Sequence, residues 1–353
     1  MNDFAGHIVR WYTANRRHLP WRETNDPYLI WLSEVILQQT RVDQGLDYYL
    51  RFTDAYPDVR LLAGASETDI LKLWQGLGYY SRARNLHHAA GQIIKEFDGV
   101  FPGSFKDIRK LKGVGDYTAA AIASIAYGEA VPVVDGNVKR VIARIFGLES
   151  SGAQLHKEVY NIMLRELDQK KPGDYNQAVM EFGALQCTPK NPDCSSCIFR
   201  DRCIALNNNL VAELPRKEPK ATPKARYFSY FIVRIQEEKH GIVMKKRTGN
   251  NIWKNLYDFP LIETQKEMDE ATLKKHPEFM EWLGKDAIIE KSTALYKHQL
   301  THRTIFARFY FINFPSSHKI KLQEDWEVIN KEKLARLPIP RLIEKFMSGS
   351  RLF

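Results

Sequence analysis

Through residues 1–210 apolar side chains recur at helical spacing, as in Leu29, Leu32 and Ile36, and again in Val138, Val141, Ile142 and Ile145. Steps of three and four residues put such side chains on one stripe of an α-helix, the stripe that packs inward. The breaks between these runs carry glycine or proline: Gly76-Leu77-Gly78, Phe101-Pro102-Gly103, Gly113-Val114-Gly115 and Lys171-Pro172-Gly173. Helix after helix with short breaks predicts an all-α domain. Beyond residue 225 the period changes. Residues 227–235, 241–245 and 304–314 are rich in aromatic and β-branched side chains and read as strands, while 265–283 reads as a helix. The second domain is therefore expected to be α+β. Between the two, residues 211–224 carry three prolines, several lysines and little to bury, as a linker does. The expected boundaries are thus 1–210, 211–224 and 225–353. No internal repeat or low-complexity tract stands out.

Composition agrees with two globular domains: 353 residues, 44% hydrophobic and 27% charged. A disordered chain and a disulfide-stapled miniature are both excluded. Residues 1–21 show no apolar signal region, and the longest small-apolar run, 119–126, is too short to cross a bilayer. No membrane association is expected. A reducing compartment follows as the default, the cytoplasm, with nucleoid association in a bacterium. The net charge of +10 is uneven. Residues 1–210 hold 25 basic and 24 acidic side chains, residues 211–353 hold 27 and 18. A basic excess of this kind suits a polyanionic partner such as nucleic acid.

Candidate chemistry falls in three places. All four cysteines lie in one window, Cys187, Cys194, Cys197 and Cys203, spaced Cys-x6-Cys-x2-Cys-x5-Cys. Paired disulfides fit poorly with a chain lacking an export signal. A four-thiolate site remains. Zinc usually takes two Cys-x2-Cys pairs, of which one is present, and a [4Fe–4S] cube also takes four thiolates; spacing leaves both open. Lys190, Arg200 and Arg202 make that loop basic, suited to phosphate or simply to solvent. Next, Leu111-Lys112-Gly113-Val114-Gly115-Asp116-Tyr117 places two glycines between a short helix and an Ala-rich one. Glycine lets backbone N–H groups approach an anion, and the following helix adds its positive end. Finally, Val133-Val134-Asp135-Gly136-Asn137-Val138 precedes a basic amphipathic helix with Lys139, Arg140 and Arg144. Asp135 there is a natural helix cap or a site carboxylate. Glu34 has Ile30, Trp31 and Leu37 as helical neighbours, the setting of a surface glutamate or of a carboxyl with raised proton affinity.

The hairpin, the Val-Asp-Gly-Asn-Val-x-Arg-Val run and the cysteine spacing, in this order, resemble the helix-hairpin-helix DNA glycosylases. Within them the chain is most similar to the adenine DNA glycosylase (MutY) branch. Leu19-Pro20-Trp21-Arg22, the run from Trp31 to Thr40 and the run from Gly76 to Leu86 fit that branch, so the match spans nearly all of residues 4–210. The resemblance implies a two-lobed all-α glycosylase domain with Asp135 in the cleft and a [4Fe–4S] cluster on the four cysteines. It implies, as substrate, double-stranded DNA carrying adenine opposite 8-oxoguanine or guanine, and it implies a monomer. Residues 225–353 resemble, more loosely, the Nudix-like carboxy-terminal domain of the same branch. A working Nudix hydrolase needs a metal-holding Arg-Glu helix, which the stretch from Gln265 to Ala271 lacks, so a binding module is expected.

Roles follow from chemistry and from the resemblance together. Adenine is a poor leaving group as an anion, so cleavage of its N-glycosidic bond needs a protonated acid, and Glu34 is the candidate. The sugar becomes oxocarbenium-like, and Asp135 would stabilise that charge or attack the anomeric carbon, as in two-carboxylate glycoside hydrolysis. By resemblance Tyr117 and Asn137 orient the site, Gly113 and Gly115 grip a phosphate, and Gln39 and Tyr79 wedge into the duplex as adenine flips out. Thr301 and His302 would read 8-oxoguanine; the family often has Phe-Ser-His where this chain has Leu300-Thr301-His302. The endonuclease III branch carries a Lys nucleophile where Tyr117 stands, and only lysine forms a Schiff base and nicks the strand. A monofunctional enzyme is therefore expected. The rivals are a bifunctional endonuclease III-like glycosylase/lyase and a non-catalytic Fe–S DNA-binding protein.

Overall fold

A computed structural model describes residues 3–218, 222–235, 241–249, 252–314 and 322–350. The chain divides into two compact units, one of residues 1–64 with 84–219 and one of residues 65–83 with 220–353.

The first unit is helical. In chain order the helices are α1 (Phe4–Asn15), α2 (Pro27–Leu37), α3 (Val42–Ala55), α4 (Val59–Gly64), α5 (Glu67–Leu73), α6 (Tyr80–Glu96), α7 (Phe105–Ile108), α8 (Asp116–Tyr127), α9 (Gly136–Phe146), α10 (Gly152–Arg165), α11 (Pro172–Leu185) and α12 (Ile204–Asn207). Of these α5, with the segment around it, packs in the second unit. The periodic residues Val138, Val141, Ile142 and Ile145 of α9 are buried, packed with Ala178, Val179 and Phe182 of α11 and Phe4, Ile8 and Tyr12 of α1. Each fully buried aliphatic side chain there contributes about 1.5–3 kcal/mol relative to exposure. Gly183 sets the approach of α11 to the start of α9, since a Cβ at that position would stand 2.7 Å from the Asn137 Cβ. Asn176, fully buried on α11, accepts from the Val133 N–H and donates to Val131 O and Ser124 Oγ. It thereby fixes the segment that leads into Asp135.

The second unit is built on a mixed sheet. Its strands are β1 (Lys224–Ile235), β2 (Gly241–Lys246), β3 (Tyr257–Asp258), β4 (Leu261–Thr264), β5 (Ile288–Ser292), β6 (Tyr296–Gln299), β7 (Arg303–Asn313) and β8 (Trp326–Ile329). The main path runs β3-β2-β1-β7-β5, with β4 on β1, β6 on β7 and β8 on β2. β1 and β7 are parallel from Lys224↔Arg303 to Val233↔Ile312; the remaining pairs are antiparallel. Both faces of β1 are covered. Phe231 and Val233 pack with Leu273 and Phe279, while Tyr230 stacks on Phe309, and Phe309 on Phe346 at 3.8 Å. Six consecutive buried residues result, so β1 shows no in–out alternation. The helices are α13 (Glu270–Lys274), α14 (Pro277–Trp282), α15 (Lys331–Arg336) and α16 (Arg341–Ser348).

Three expectations change. The helix expected over 265–283 is two short ones: Asp269 caps α13 by accepting from Thr272 N, and Pro277, lacking an N–H, holds His276 extended and starts α14. Residues 65–83, expected in the first domain, pack with the carboxy-terminal residues. Lys72 Nζ donates to Leu337 O (3.1 Å), Ile339 N to Gln75 Oε1 (3.2 Å) and the Tyr80 hydroxyl to Ile339 O (3.3 Å). Helical periodicity reveals α5 but not its packing partner. The expected linker begins as part of the first unit: Leu214 is 2% exposed and accepts from Arg144 Nε, and Arg216 pairs with Glu149. Residues 219–221 of that linker lie outside the described residues, and 224 already begins β1. Among the described residues no helix is long and apolar enough to cross a membrane.

Candidate active site

The first unit contains a cavity of about 500 Å³ whose walls include Glu34, Tyr117, Asp135 and Asn137, the four residues singled out as catalytic candidates. Three helices supply them. Asp26 starts α2 by accepting from Tyr28 N, and Pro27 occupies the first turn. α2 then buries Ile30, Trp31, Val35 and Ile36, leaving Glu34 at the cavity. Burial raises the Glu34 carboxyl to about 7; Asp135 adds to the rise, while the Tyr117 hydroxyl and the charge of Arg22 oppose it. The Tyr117 phenol, on the first turn of α8, is pushed well above its ordinary range, first by burial and then by the two carboxylates.

Asp135 is a helix cap that also stands on the cavity wall. It caps α9, accepting through Oδ1 from Val138 N (2.7 Å), while Oδ2 accepts from Asn137 Nδ2 (2.9 Å). Burial raises its proton affinity, and these hydrogen bonds and the charge of Arg140 oppose the rise. The basic helix α9 is not a solvent-facing basic surface along its length. Arg140 and Arg144 are only 9% and 3% exposed. Arg140 donates to Asn137 Oδ1 (2.8 Å), Gly183 O (2.6 Å) and Cys187 O (2.8 Å). Their place in an amphipathic pattern predicted a polar face; carbonyl acceptors on neighbouring segments draw both guanidinium groups inward.

Residues not singled out by sequence complete the cavity. Glu181 of α11, its side chain fully buried, takes bidentate hydrogen bonds from both Arg17 and Arg22. Its signal was a lone carboxylate in the apolar run Ala178-Val179-Met180-Glu181-Phe182. Gln177 and Met180 lie on the same wall, and the Tyr117 hydroxyl contacts the Met180 sulfur at 3.8 Å.

The hairpin forms as expected between α7 and α8. Gly113 has φ +78°, and a Cβ there would come within 2.6 Å of Asn85, so glycine is required on both counts. Gly115 is the N-cap of α8, leaving the first-turn N–H groups without a side-chain cap. Gln39 (φ 57°) and Tyr79 (φ 47°) are both exposed and both in the left-handed region that non-glycine residues avoid. The strain lies in the backbone and costs about 1–3 kcal/mol at each position. Tyr80, by contrast, is buried.

In the second unit Thr301 and His302 are exposed at the tip of the β6–β7 hairpin. Thr301 Oγ1 lies 2.7 Å from the Tyr79 hydroxyl, so two residues chosen separately from the sequence share one hydrogen bond. His298 of β6 packs edge-on against Trp253.

All four cysteines are unpaired and line one cavity of the first unit. Arg144 organises their loop, donating to Cys187 Sγ (3.5 Å), Thr188 O (2.7 Å) and Pro189 O (3.3 Å). The Phe199 N–H points at Cys197 Sγ (3.4 Å). Burial pushes the Cys197 thiol up to about 11, with the neighbouring thiols adding to the rise.

Residues 32–168 match the HhH-GPD superfamily of base excision DNA repair proteins, and residues 230–349 match the NUDIX domain. The adenine DNA glycosylase of Buchnera aphidicola subsp. Schizaphis graminum (strain Sg) is 31% identical over 356 residues, 97% of this chain and 98% of that protein. The chain belongs to the adenine DNA glycosylase family. The adenine DNA glycosylase of Homo sapiens is 41% identical over 213 residues, 57% of this chain and 39% of that one. Among solved structures, a thermostable thymine-DNA glycosylase aligns with TM-score 0.55 and 31% identity, over 58% of this chain and 95% of that one. A trapped endonuclease III–DNA covalent intermediate shares the fold, with TM-score 0.52 at 19% identity over 58% and 95% of the two chains. As a family member the protein is a base-excision-repair glycosylase, a hydrolase whose substrate is DNA, with a helical helix-hairpin-helix domain and a Nudix-like α/β domain.

Proposed function

We propose that this adenine DNA glycosylase excises adenine opposite 8-oxoguanine, and opposite guanine, leaving an abasic site without cutting the strand. The observation that carries the reading is the meeting of Glu34, Tyr117, Asp135 and Asn137 on one cavity, with Glu34 raised to about 7. A carboxyl in that range is half protonated at neutral pH, as a general acid for a flipped base should be. Glu34 gives its proton to a ring nitrogen of adenine, so that the base departs neutral. Asp135, held by Val138 N and Asn137, faces the cationic sugar and stabilises it. Glu34, now ionised, can take a proton from the water that completes hydrolysis. Tyr117 stands where a lyase needs an amine; a phenol cannot form the Schiff base that leads to strand scission.

The chain's other parts support the same reading. Gly113 and Gly115 give the hairpin backbone access to a DNA phosphate. Gln39 and Tyr79, exposed and left-handed, are the wedge candidates, and the Tyr79–Thr301 hydrogen bond joins the wedge to the hairpin that would read 8-oxoguanine with His302. Cys187, Cys194, Cys197 and Cys203 would hold a [4Fe–4S] cluster. A common cavity and N–H donors aimed at two of the sulfurs suit a cluster of thiolates. When bound, such a cluster supplies crosslinks that fix the loop from 187 to 203. A monomer suffices, since every proposed catalytic residue comes from one chain.

The test is excision on duplexes carrying adenine opposite 8-oxoguanine, guanine or thymine, each analysed before and after hot alkali. The expected order is 8-oxoguanine first, guanine second and thymine last, with strand breaks only after alkali. Strand scission in neutral buffer together with efficient borohydride trapping would overturn the monofunctional reading, and equal rates on all three would overturn the specificity.

A further inference from the structure

The proposed mechanism uses Glu34 and Asp135 but leaves unexplained why two arginines line the same cavity. The Arg22 side chain is 10% exposed and that of Arg17 35%. Glu181 holds both. Arg17 donates to it from its backbone N (3.0 Å), Nε (2.9 Å) and Nη2 (2.6 Å), and Arg22 from Nη1 and Nη2 (2.7 Å each). Arg22 also donates to Arg17 O at 3.3 Å. The Glu181 carboxylate has no exposed surface, so its charge is matched by these guanidinium groups rather than by water.

We infer that Glu181 is a positioning residue for the proton donor: it fixes Arg17 and Arg22 in the cavity wall and offsets their charge beside Glu34. The inference rests on the reading of Glu34 as general acid. A cation near a carboxyl favours loss of its proton, and a cation already paired with a buried carboxylate does so less. The charge of Arg22 does act on Glu34 in that direction. The other charged and titratable groups around Glu34 are Tyr117 from α8 and Asp135 at the cap of α9. Farther round the same cavity stand Arg41 and Asp43, at the start of α3. None of these pairs with Arg22 among the hydrogen bonds that fix it. Glu181 itself is strongly ionised: burial works to raise its proton affinity, yet the hydrogen bonds from Arg22 and Arg17 outweigh this and bring it down to about 2. It therefore stays a full negative charge across the working pH range.

The test is the pH profile of single-turnover excision in the full-length, cluster-loaded protein. Loss of the Glu34 proton should appear as an alkaline limb. In Glu181→Gln that limb should move to lower pH, because the freed Arg22 guanidinium favours the ionised Glu34. In Arg22→Gln it should move to higher pH. The double variant Arg22→Gln/Glu181→Gln, which removes one charge of each sign, should return toward the wild-type position even if its rate is low. Glu181→Asp keeps the charge with a shorter reach, and its limb should stay near wild type. A merely structural role would lower rates in all four without this ordered movement. The inference is overturned if Glu181→Gln lowers the rate but leaves the limb in place, or if the double variant matches Glu181→Gln. Should Glu181→Gln fail to fold, an unmoved limb in Arg22→Gln overturns it equally. Glu34→Gln in the same buffers separates the two readings: if it still excises, Glu34 is not the acid and both fall; if it is inactive while the limbs do not move, only the role of Glu181 falls.

Discussion

Replacing Glu34 by glutamine should make the protein more stable, and the gain should depend on pH in a defined sense. A carboxyl whose proton affinity is raised by folding binds its proton more tightly in the native state than in the unfolded chain. Stability is then lost as pH rises between the two values, here from 4.5 to about 7. Below that window both states are protonated and the group has no linkage effect. Above it the native state must hold an ionised, poorly hydrated carboxylate. At about 1.4 kcal/mol per pH unit the gap amounts to about 3 kcal/mol. Glutamine has the same shape, cannot ionise, and removes that cost. Urea unfolding of wild type and Glu34→Gln, followed by circular dichroism at a series of pH values, measures the difference. The variant should match wild type near pH 4.5 and exceed it by about 2–3 kcal/mol near pH 8.5. Equal stability at pH 8.5, or a difference that does not vary with pH, would refute the view that folding raises the Glu34 carboxyl.

Three further outcomes are expected. Asp135→Asn should keep the capping bond to Val138 N but turn an amide donor toward Asn137 Nδ2, so it should lose most excision and only part of the stability, whereas Asp135→Ala should lose about 1 kcal/mol with the cap as well; thermal unfolding and single-turnover rates together separate the roles, and full activity in Asp135→Asn would remove the carboxylate from the chemistry. Thr301→Ala should cut the bond to Tyr79 and reduce the preference for 8-oxoguanine over guanine by about 1–3 kcal/mol, read from binding to duplexes with a non-cleavable adenine analogue; unchanged preference would detach this hairpin from lesion reading. Anaerobically purified protein should contain about four irons and four acid-labile sulfides per chain, and stoichiometric zinc without labile sulfide would defeat the cluster assignment.

The readable parts of the chain were those whose signal is local. The α9 stripe from Val138 to Ile145, the glycines of the hairpin and the aromatic strands around 227–235 and 304–314 each declare themselves within a dozen residues. Glu34 and Asp135 each fit an ordinary local pattern, an amphipathic helix position and a helix cap, and became catalytic candidates through the motifs that resemble the family. What the sequence did not disclose depends on distance along the chain. The Arg17–Glu181 and Arg22–Glu181 bonds join residues 164 and 159 apart, and nothing near Arg22 announces a buried partner. Residues 65–83 look like any other amphipathic turn of a helical domain, and only the carbonyls of Leu337 and Ile339, far along the chain, show that they belong with the second unit. That packing also bears on experiment. Deleting residues 225–353 would strip α5 and the Tyr80 region of their partners, so a point substitution at Thr301 is the cleaner probe of lesion reading. The basic character of α9 misled for a related reason: composition marks Arg140 and Arg144 as charged but not that carbonyls of Cys187, Thr188 and Gly183 await them.

The central claim is that Glu34 delivers a proton to adenine in the cavity it shares with Asp135. The most direct measurement compares wild type with Glu34→Gln on duplex DNA carrying adenine opposite 8-oxoguanine, recording single-turnover excision and binding in the same buffer. The account predicts that Glu34→Gln binds the lesion duplex as tightly as wild type and excises no detectable adenine. Excision at a near-wild-type rate by Glu34→Gln would contradict it.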